Sequence, residues 1–163
     1  MAYSDPLIVL GPELATVEVE TTAATIKDYE LPFGYQIEDF GVVIVEDFVA
    51  QATDPVVKLQ KLDKASGTVT DIVTLALGSS NTTLKKGNGT KEAQTAITAD
   101  ADLDNGHVVY CKRSALPVQI GANTILRIAV TTAATGAGGA FVPFVYIRPS
   151  FDKRSATTWI DDS

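Results

Sequence analysis

The sequence predicts an all-β protein, and three observations support this fold class. The 163 residues include 19 threonines and many valines and isoleucines, a mixture that suits a pleated, half-buried surface. Several short segments alternate between apolar and polar side chains, which is the period of a strand with one wet face. No segment of 12 or more residues has a helical period. These observations together predict an antiparallel β-sandwich or jelly roll.

Four strands are predicted in the first half of the chain, at residues 16–20, 41–50, 56–62 and 68–77. The first alternates valine with glutamate. The second is apolar on both faces up to Glu46 and therefore reads as a central strand of the sandwich. The third follows the turn signal Asp54-Pro55, and the fourth alternates apolar residues with threonines, although Asp71 interrupts its apolar face.

Three more strands are predicted in the second half, at residues 107–112, 125–131 and 140–148. The strand at 125–131 places apolar side chains on one face and Arg127 and Thr131 on the other. Pro143 lacks a ladder donor, which predicts an edge position or a bulge in the last strand. The glycine-rich segment 133–139 separates two strands adjacent in sequence and is interpreted as a hairpin loop.

The chain is expected to form a single domain at residues 16–149, with an extended N-terminal arm at 1–15 and a C-terminal tail at 150–163. The arm contains the apolar run Leu7-Ile8-Val9-Leu10 between two prolines. The tail carries Phe151, Trp159 and Ile160 among polar residues, and large apolar side chains in such a setting need a docking surface. That surface is either the chain's own domain or a neighbouring subunit.

Composition disfavours several classes of function. A net charge of −7 argues against nucleic-acid binding, which needs clustered Lys and Arg. No apolar stretch is long enough to span a membrane, and no secretory signal follows Met1. A single cysteine and a single histidine rule out an internal disulfide and an ordinary Cys/His zinc site, and no cofactor is expected.

Catalytic groupings are not evident in the sequence, so the protein is predicted not to be an enzyme. His107 and Cys111 lie four residues apart in a predicted strand, or about 13 Å, which is too far for a hydrogen-bonded dyad. The carboxylates Asp100, Asp102 and Asp104 resemble the opening of a calcium-binding loop. The glycine comes one position late and the twelfth residue is not Glu, so a solvated acidic loop is the favoured interpretation.

The C-terminal third carries a resemblance to a known family. Its residues are Ala115-Leu116-Pro117-Val118, the strand from Ile120 to Thr132, the glycine-rich loop, and Val142-Pro143-Phe144-Val145-Tyr146-Ile147-Arg148-Pro149, with a further strand at 40–46. This pattern resembles the small jelly-roll decoration, or cement, proteins of tailed-bacteriophage heads. The resemblance covers about half of the chain and describes a fold more than a function.

This resemblance implies a non-enzymatic virion protein, made in the host cytoplasm, that sits on the outer surface of an expanded capsid. Such proteins are commonly trimers that bridge subunits of the major capsid protein. On this interpretation, Leu7, Ile8, Val9 and Leu10 are the first candidates for capsid or inter-subunit contact, and Phe151, Trp159 and Ile160 are the second.

Two alternative functions stay open. One is another virion component, such as a head fibre or tail appendage. The other is a carbohydrate-binding jelly-roll module, for which Tyr29, Phe33 and Tyr35 are a candidate stacking platform, although buried core aromatics are the favoured explanation of these residues.

Overall fold

The computed structural model describes residues 7–11, 13–19, 22–49, 53–78, 85–87, 95–96, 103–111, 116–135 and 138–150. Within these residues there are strands and turns but no helix. The strands are β1 (Ile8–Leu10), β2 (Val17–Glu18), β3 (Ala24–Glu30), β4 (Tyr35–Glu46), β5 (Val56–Asp63), β6 (Val69–Ala76), β7 (Lys85–Gly87), β8 (Thr95–Ala96), β9 (Val108–Tyr110), β10 (Val118–Ile120), β11 (Thr124–Thr132) and β12 (Ala140–Pro149).

The strands form two antiparallel sheets. The larger sheet has eight strands in the order β1-β12-β4-β9-β7-β8, with β10 also paired to β4 and β2 also paired to β12. The smaller sheet has four strands in the order β3-β11-β5-β6. The two sheets pack together around one apolar core, so the predicted β-sandwich is confirmed.

The core lies between the sheets and is built by alternation along the longest strands, with a register shift in β4 between Ile37 and Asp39. In β4, Phe40, Val42 and Ile44 have no exposed surface, and in β11 the same holds for Leu126 and Ile128. These side chains belong to one continuous apolar cluster, to which both sheets contribute residues. Because successive strand residues point to opposite faces, the neighbours of the core residues in the larger sheet must point away from the smaller sheet.

The glycine-rich segment before β12 is not a hairpin loop, so that prediction is wrong. β11 belongs to the four-stranded sheet and β12 to the eight-stranded sheet, so the connection crosses from one sheet to the other. Gly139, at φ 126°, packs closely against Phe48, and a Cβ at this position would stand 2.6 Å from the Phe48 ring. The glycine therefore allows the chain to cross closely over Phe48. In the sequence, a glycine needed for close packing looks the same as a glycine needed for a turn.

Pro143 lies neither at a sheet edge nor at a bulge, because the register shifts of the β12–β4 ladder fall at Ala140/Phe141 and Tyr146/Ile147. β12 is an interior strand, with β4 on one side and β1 and β2 on the other. The pairing on the side of β1 and β2 is interrupted, because β1 pairs with residues 145–147 of β12 and β2 pairs with residues 140–141. Pro143 falls in this interruption, so the missing N–H lies at a break in the ladder within the sheet rather than at an edge.

Candidate functional site

The face of the larger sheet that points away from the core is apolar at its centre. Four adjacent strands contribute to it, namely β1, β12, β4 and β9. In each strand the contributing residues alternate with core residues, as Val43 does with Val42 and Ile44. We call this surface the outer apolar face, and it comprises Val9, Val43, Val108, Tyr110, Val142, Phe144 and Tyr146.

Three aromatic rings form the middle of the outer apolar face. Tyr110 and Phe144 pack edge to face, with ring centroids 5.6 Å apart, and Phe144 and Tyr146 pack at 5.2 Å. Phe144 lies opposite Gly41 on the neighbouring strand, and its ring occupies the space that a side chain there would fill. Tyr110 and Phe144 are buried, yet they lie outside the continuous core cluster. The sheet therefore carries a second apolar layer on its outer side.

The outer apolar face contains a depression of about 160 Å³ that is open to solvent. The described residues that line it all belong to β1, β4, β9 and β12. An engineered apolar cavity of about 150 Å³ is large enough to hold benzene, so this depression is large enough to accept an aromatic ring. A depression of this size and lining is suited to an apolar side chain or a small apolar ligand.

Carboxylates lie at one end of the outer apolar face. Asp39 pairs with Tyr146 across the ladder and is 1% exposed, and its Oδ1 accepts a hydrogen bond from the Phe40 N–H. Burial, together with the nearby Tyr146 and Asp39, raises the pKa of Tyr110. Beyond Asp39, Glu38 accepts a hydrogen bond from Arg148 at 3.2 Å. The face thus changes from apolar to charged toward the end of β12.

The predicted contact residues of the N-terminal arm lie at the edge of the same sheet. β1 pairs with β12, with Ile8 opposite Ile147 and Leu10 opposite Val145, and these two side chains pack against the core. Val9 points outward and is 43% exposed, and Leu7 is 50% exposed. The structure therefore divides the run of four residues into two that anchor the strand and two that remain accessible.

Several predicted site residues fall outside the described part of the chain, namely Phe151, Trp159, Ile160, Asp100 and Asp102. Asp104 is described and exposed, and its carboxylate lies 3.8 Å from His107 Nδ1. Its backbone N–H donates to the same nitrogen at 3.2 Å. Among the described residues, no three His, Cys, Asp or Glu side chains come close enough together to hold a metal ion.

The aromatic platform considered for a carbohydrate-binding module is not available on the surface. Tyr35 has no exposed area and Tyr29 is 9% exposed, and both belong to the core cluster. Phe33 is half-buried and packs against the same cluster. Sugar rings stack on exposed aromatic faces, so at least Tyr29 and Tyr35 do not serve this purpose.

The outer apolar face is the part of the site that the sequence interpretation missed. Its signal was present, because residues 41–45 and 140–147 are apolar at nearly every position. For residues 41–50 the pattern predicts a central strand of the sandwich, and that prediction does not address what lies on its outer face. The outward side chains form one surface because β1, β12, β4 and β9 are neighbours in the sheet, and this order cannot be read from the separate segments.

Comparisons with protein-family models, curated proteins and solved structures found no match to this chain. In the part of the chain that the structure describes, no helix could cross a membrane.

Proposed function

We propose that this chain is a non-enzymatic structural protein of a bacteriophage virion that decorates the capsid. It would stabilise the shell by bridging subunits of the major capsid protein, and would act as a homotrimer on the capsid outer surface. The fold agrees with the resemblance in the C-terminal third of the sequence, since that resemblance implies an antiparallel jelly-roll sandwich.

The observation that carries this proposal is the apolar edge strand β1. Within the described residues, β1 pairs with β12 on one side only, and Leu7 and Val9 are exposed beside the open edge. Residues 7–10 contain no charge and no proline, the usual protections of a free strand edge. An edge of this kind can accept a strand from a partner through main-chain hydrogen bonds, and because β1 has only three residues each such contact is short.

Structural bridging fits such an edge better than catalysis does. A clamp that must only resist separation of subunits depends on contact area and on the number of contacts, because linked contacts raise the effective concentration of each other. Several copies of β1 in one oligomer would supply repeated contacts of this kind.

A direct test uses expanded, undecorated heads of the phage whose genome carries this reading frame. Purified protein is incubated with the heads, and the bound fraction is measured by co-sedimentation over a range of concentrations. We expect saturable binding for the unaltered chain. Leu7→Lys should weaken the affinity about tenfold, or about 1.4 kcal/mol, because it places a charge at the accepting edge. Absence of binding by the unaltered chain overturns the proposal.

Val69→Lys is the matched control for this substitution. Val69 is 43% exposed and lies on β6, in the other sheet, so a lysine there changes net charge equally without touching β1. We expect it to bind as the unaltered chain does. Equal weakening by both substitutions would show that charge alone matters, and would remove β1 as the contact.

The mass of the pure protein in solution tests the expected trimer. Light scattering should give three times 17.2 kDa, and the value should not change with a calcium chelator. A monomer whose mass or melting temperature changes with calcium would instead favour a ligand-binding module with Asp100, Asp102 and Asp104 as its site.

A further inference from the structure

The outer apolar face is unusual for a sandwich because the opposite face of the same strands already forms the core. Antiparallel sheets commonly have one packed and one solvated face. Here Phe144 and Tyr110 form an aromatic layer on the outer side, with Val43 and Val142 beside it. Tyr110 and Phe144 are themselves buried, and what stays open between these residues is the apolar depression, which is suited to one apolar side chain.

The chain itself supplies a segment at the right place. β12 ends at Pro149, and the next residue is fixed, since the Ser150 N–H donates to the Gly34 carbonyl at 2.9 Å. Gln119 Nε2 also donates to Ser150 Oγ at 3.3 Å. Residues 151–163 therefore start from a fixed point at the end of the strand that carries Phe144 and Tyr146.

The length of this segment matches the distance to the depression. Tyr146 lies four residues before Ser150 along β12, which is about 13 Å. Phe144 lies six residues before Ser150, which is about 20 Å. Trp159 comes nine residues after Ser150. If four residues make the reversal of direction, the remaining five span about 17 Å when extended, which ends between Tyr146 and Phe144.

Charge and size agree with this placement. Lys153 and Arg154 come early in the segment, and the end of the face nearest to Ser150 carries the carboxylate of Glu38, which is shared with Arg148, and the buried Asp39. The depression of about 160 Å³ is large enough to accept an aromatic ring, and Trp159 is the only tryptophan in the chain.

We propose that residues 151–163 fold back over the outer apolar face of their own domain, and that the depression receives the indole of Trp159. Attachment to the same chain gives the segment an effective concentration in the millimolar range, which favours the intramolecular contact over one with another copy. The proposal selects one of the two docking surfaces that the sequence left open. It concerns the face of the sheet rather than the open edge of β1, although Val9 borders both, and it does not depend on the proposed function.

Intrinsic fluorescence provides the test, because a single tryptophan reports on one site. In the full chain, we expect blue-shifted Trp159 emission and several-fold weaker quenching by acrylamide than for free tryptophan. Val142→Lys places a charge in the depression, and should shift the emission to that of an exposed indole while the far-ultraviolet circular dichroism is unchanged. Val108→Lys, on β9, is the second variant if Val142→Lys does not fold. Val69→Lys is the control and should leave the emission unchanged.

A mixing experiment separates docking within one chain from docking between chains. Val142→Lys retains Trp159 but has an altered face, whereas Trp159→Phe retains the face but has no tryptophan. The two variants are unfolded together in urea and refolded as a mixture. Intramolecular docking predicts that Trp159 of the first variant stays exposed, because its own face cannot hold it.

Three outcomes overturn the proposal. Exposed Trp159 in the unaltered chain would show that the indole is not docked. Protected Trp159 in a folded Val142→Lys or Val108→Lys chain would show that it docks elsewhere. Recovered protection in the refolded mixture would show that the face binds the segment of a second copy.

Discussion

Phe144 lies across Gly41 on the adjacent strand, and the two residues are direct partners in the β12–β4 ladder. A Cβ on residue 41 would stand 2.8 Å from Phe144 Cζ. The glycine therefore gives the phenylalanine ring a place against the sheet, and the ring in turn covers the backbone that the glycine leaves bare. This pair is the centre of the outer apolar face.

Gly41→Ala should destabilise the fold by about 1–3 kcal/mol, because the added methyl group collides with the Phe144 ring and with the backbone of β9. Urea unfolding followed by circular dichroism measures this loss. Gly121→Ala is the matched control, since a Cβ there meets nothing within 4 Å. Its effect should stay within about 0.5 kcal/mol. Equal stability of the two variants would contradict the packing of Phe144 over residue 41.

Deletion of residues 1–12 should leave a folded domain of reduced stability. β1 contributes the half-buried Ile8 and Leu10 to the core, and partial burial of two such side chains stabilises by about 2–3 kcal/mol. β12 keeps its long pairing with β4, so the sheet persists. Urea unfolding measures the loss, and Leu7→Ser, at an exposed position, serves as the control with little change. Complete unfolding of the truncated chain at room temperature would show that β1 is indispensable.

The pair Asp28–Arg127 should make stability depend on pH. Arg127 Nε and Nη2 donate to the two carboxylate oxygens of Asp28, each at 2.8 Å, and these bonds hold the pKa of Asp28 below its ordinary value of 3.8. A lowered folded-state pKa means that the stabilisation is present above the unfolded pKa. It is lost as the pH falls through the folded pKa.

Asp28→Asn should therefore be less stable than the unaltered chain at pH 7, and equally stable near pH 2. The pair is partly exposed, which limits the difference at pH 7 to about 0.5–1 kcal/mol. Urea unfolding at a series of pH values measures it. Glu18→Gln, at an exposed carboxylate of β2, is the control and should show no such trend. A difference that persists at pH 2 would mean that the substitution acts through something other than the charge pair.

The fold class could be predicted from the sequence because alternation is a local property. The segment 125–131 showed Leu126 and Ile128 inward and Arg127 outward, and β11 has this arrangement, with Arg127 bound to Asp28 on the wet face. Asp71, which interrupts the apolar face of its predicted strand, accepts hydrogen bonds from Lys58 and Gln60 at an irregularity in the β5–β6 ladder. Local patterns thus located most strands.

The sheet order could not be predicted in the same way, because it depends on pairings between distant segments. Gly138 and Gly139 looked like a hairpin signal, since neither residue indicates that β11 and β12 join different sheets. The same limit hid the candidate site. Val9, Val43, Val108 and Val142 come from four separate parts of the chain, and only the order of the strands makes them neighbours.

The position of β12 also bears on how the protein is made. In the described residues, β1 and β2 pair with β12 alone, and the four-stranded sheet is joined through β11. At about 5–20 residues per second, translation from residue 18 to residue 140 takes roughly 6–24 s, and during that time β1 and β2 have no strand to pair with. Neither sheet can close before the last two strands leave the ribosome. The pairs β5–β6 and β4–β9 can form earlier, whereas both sheets are completed only after β11 and β12 have been made.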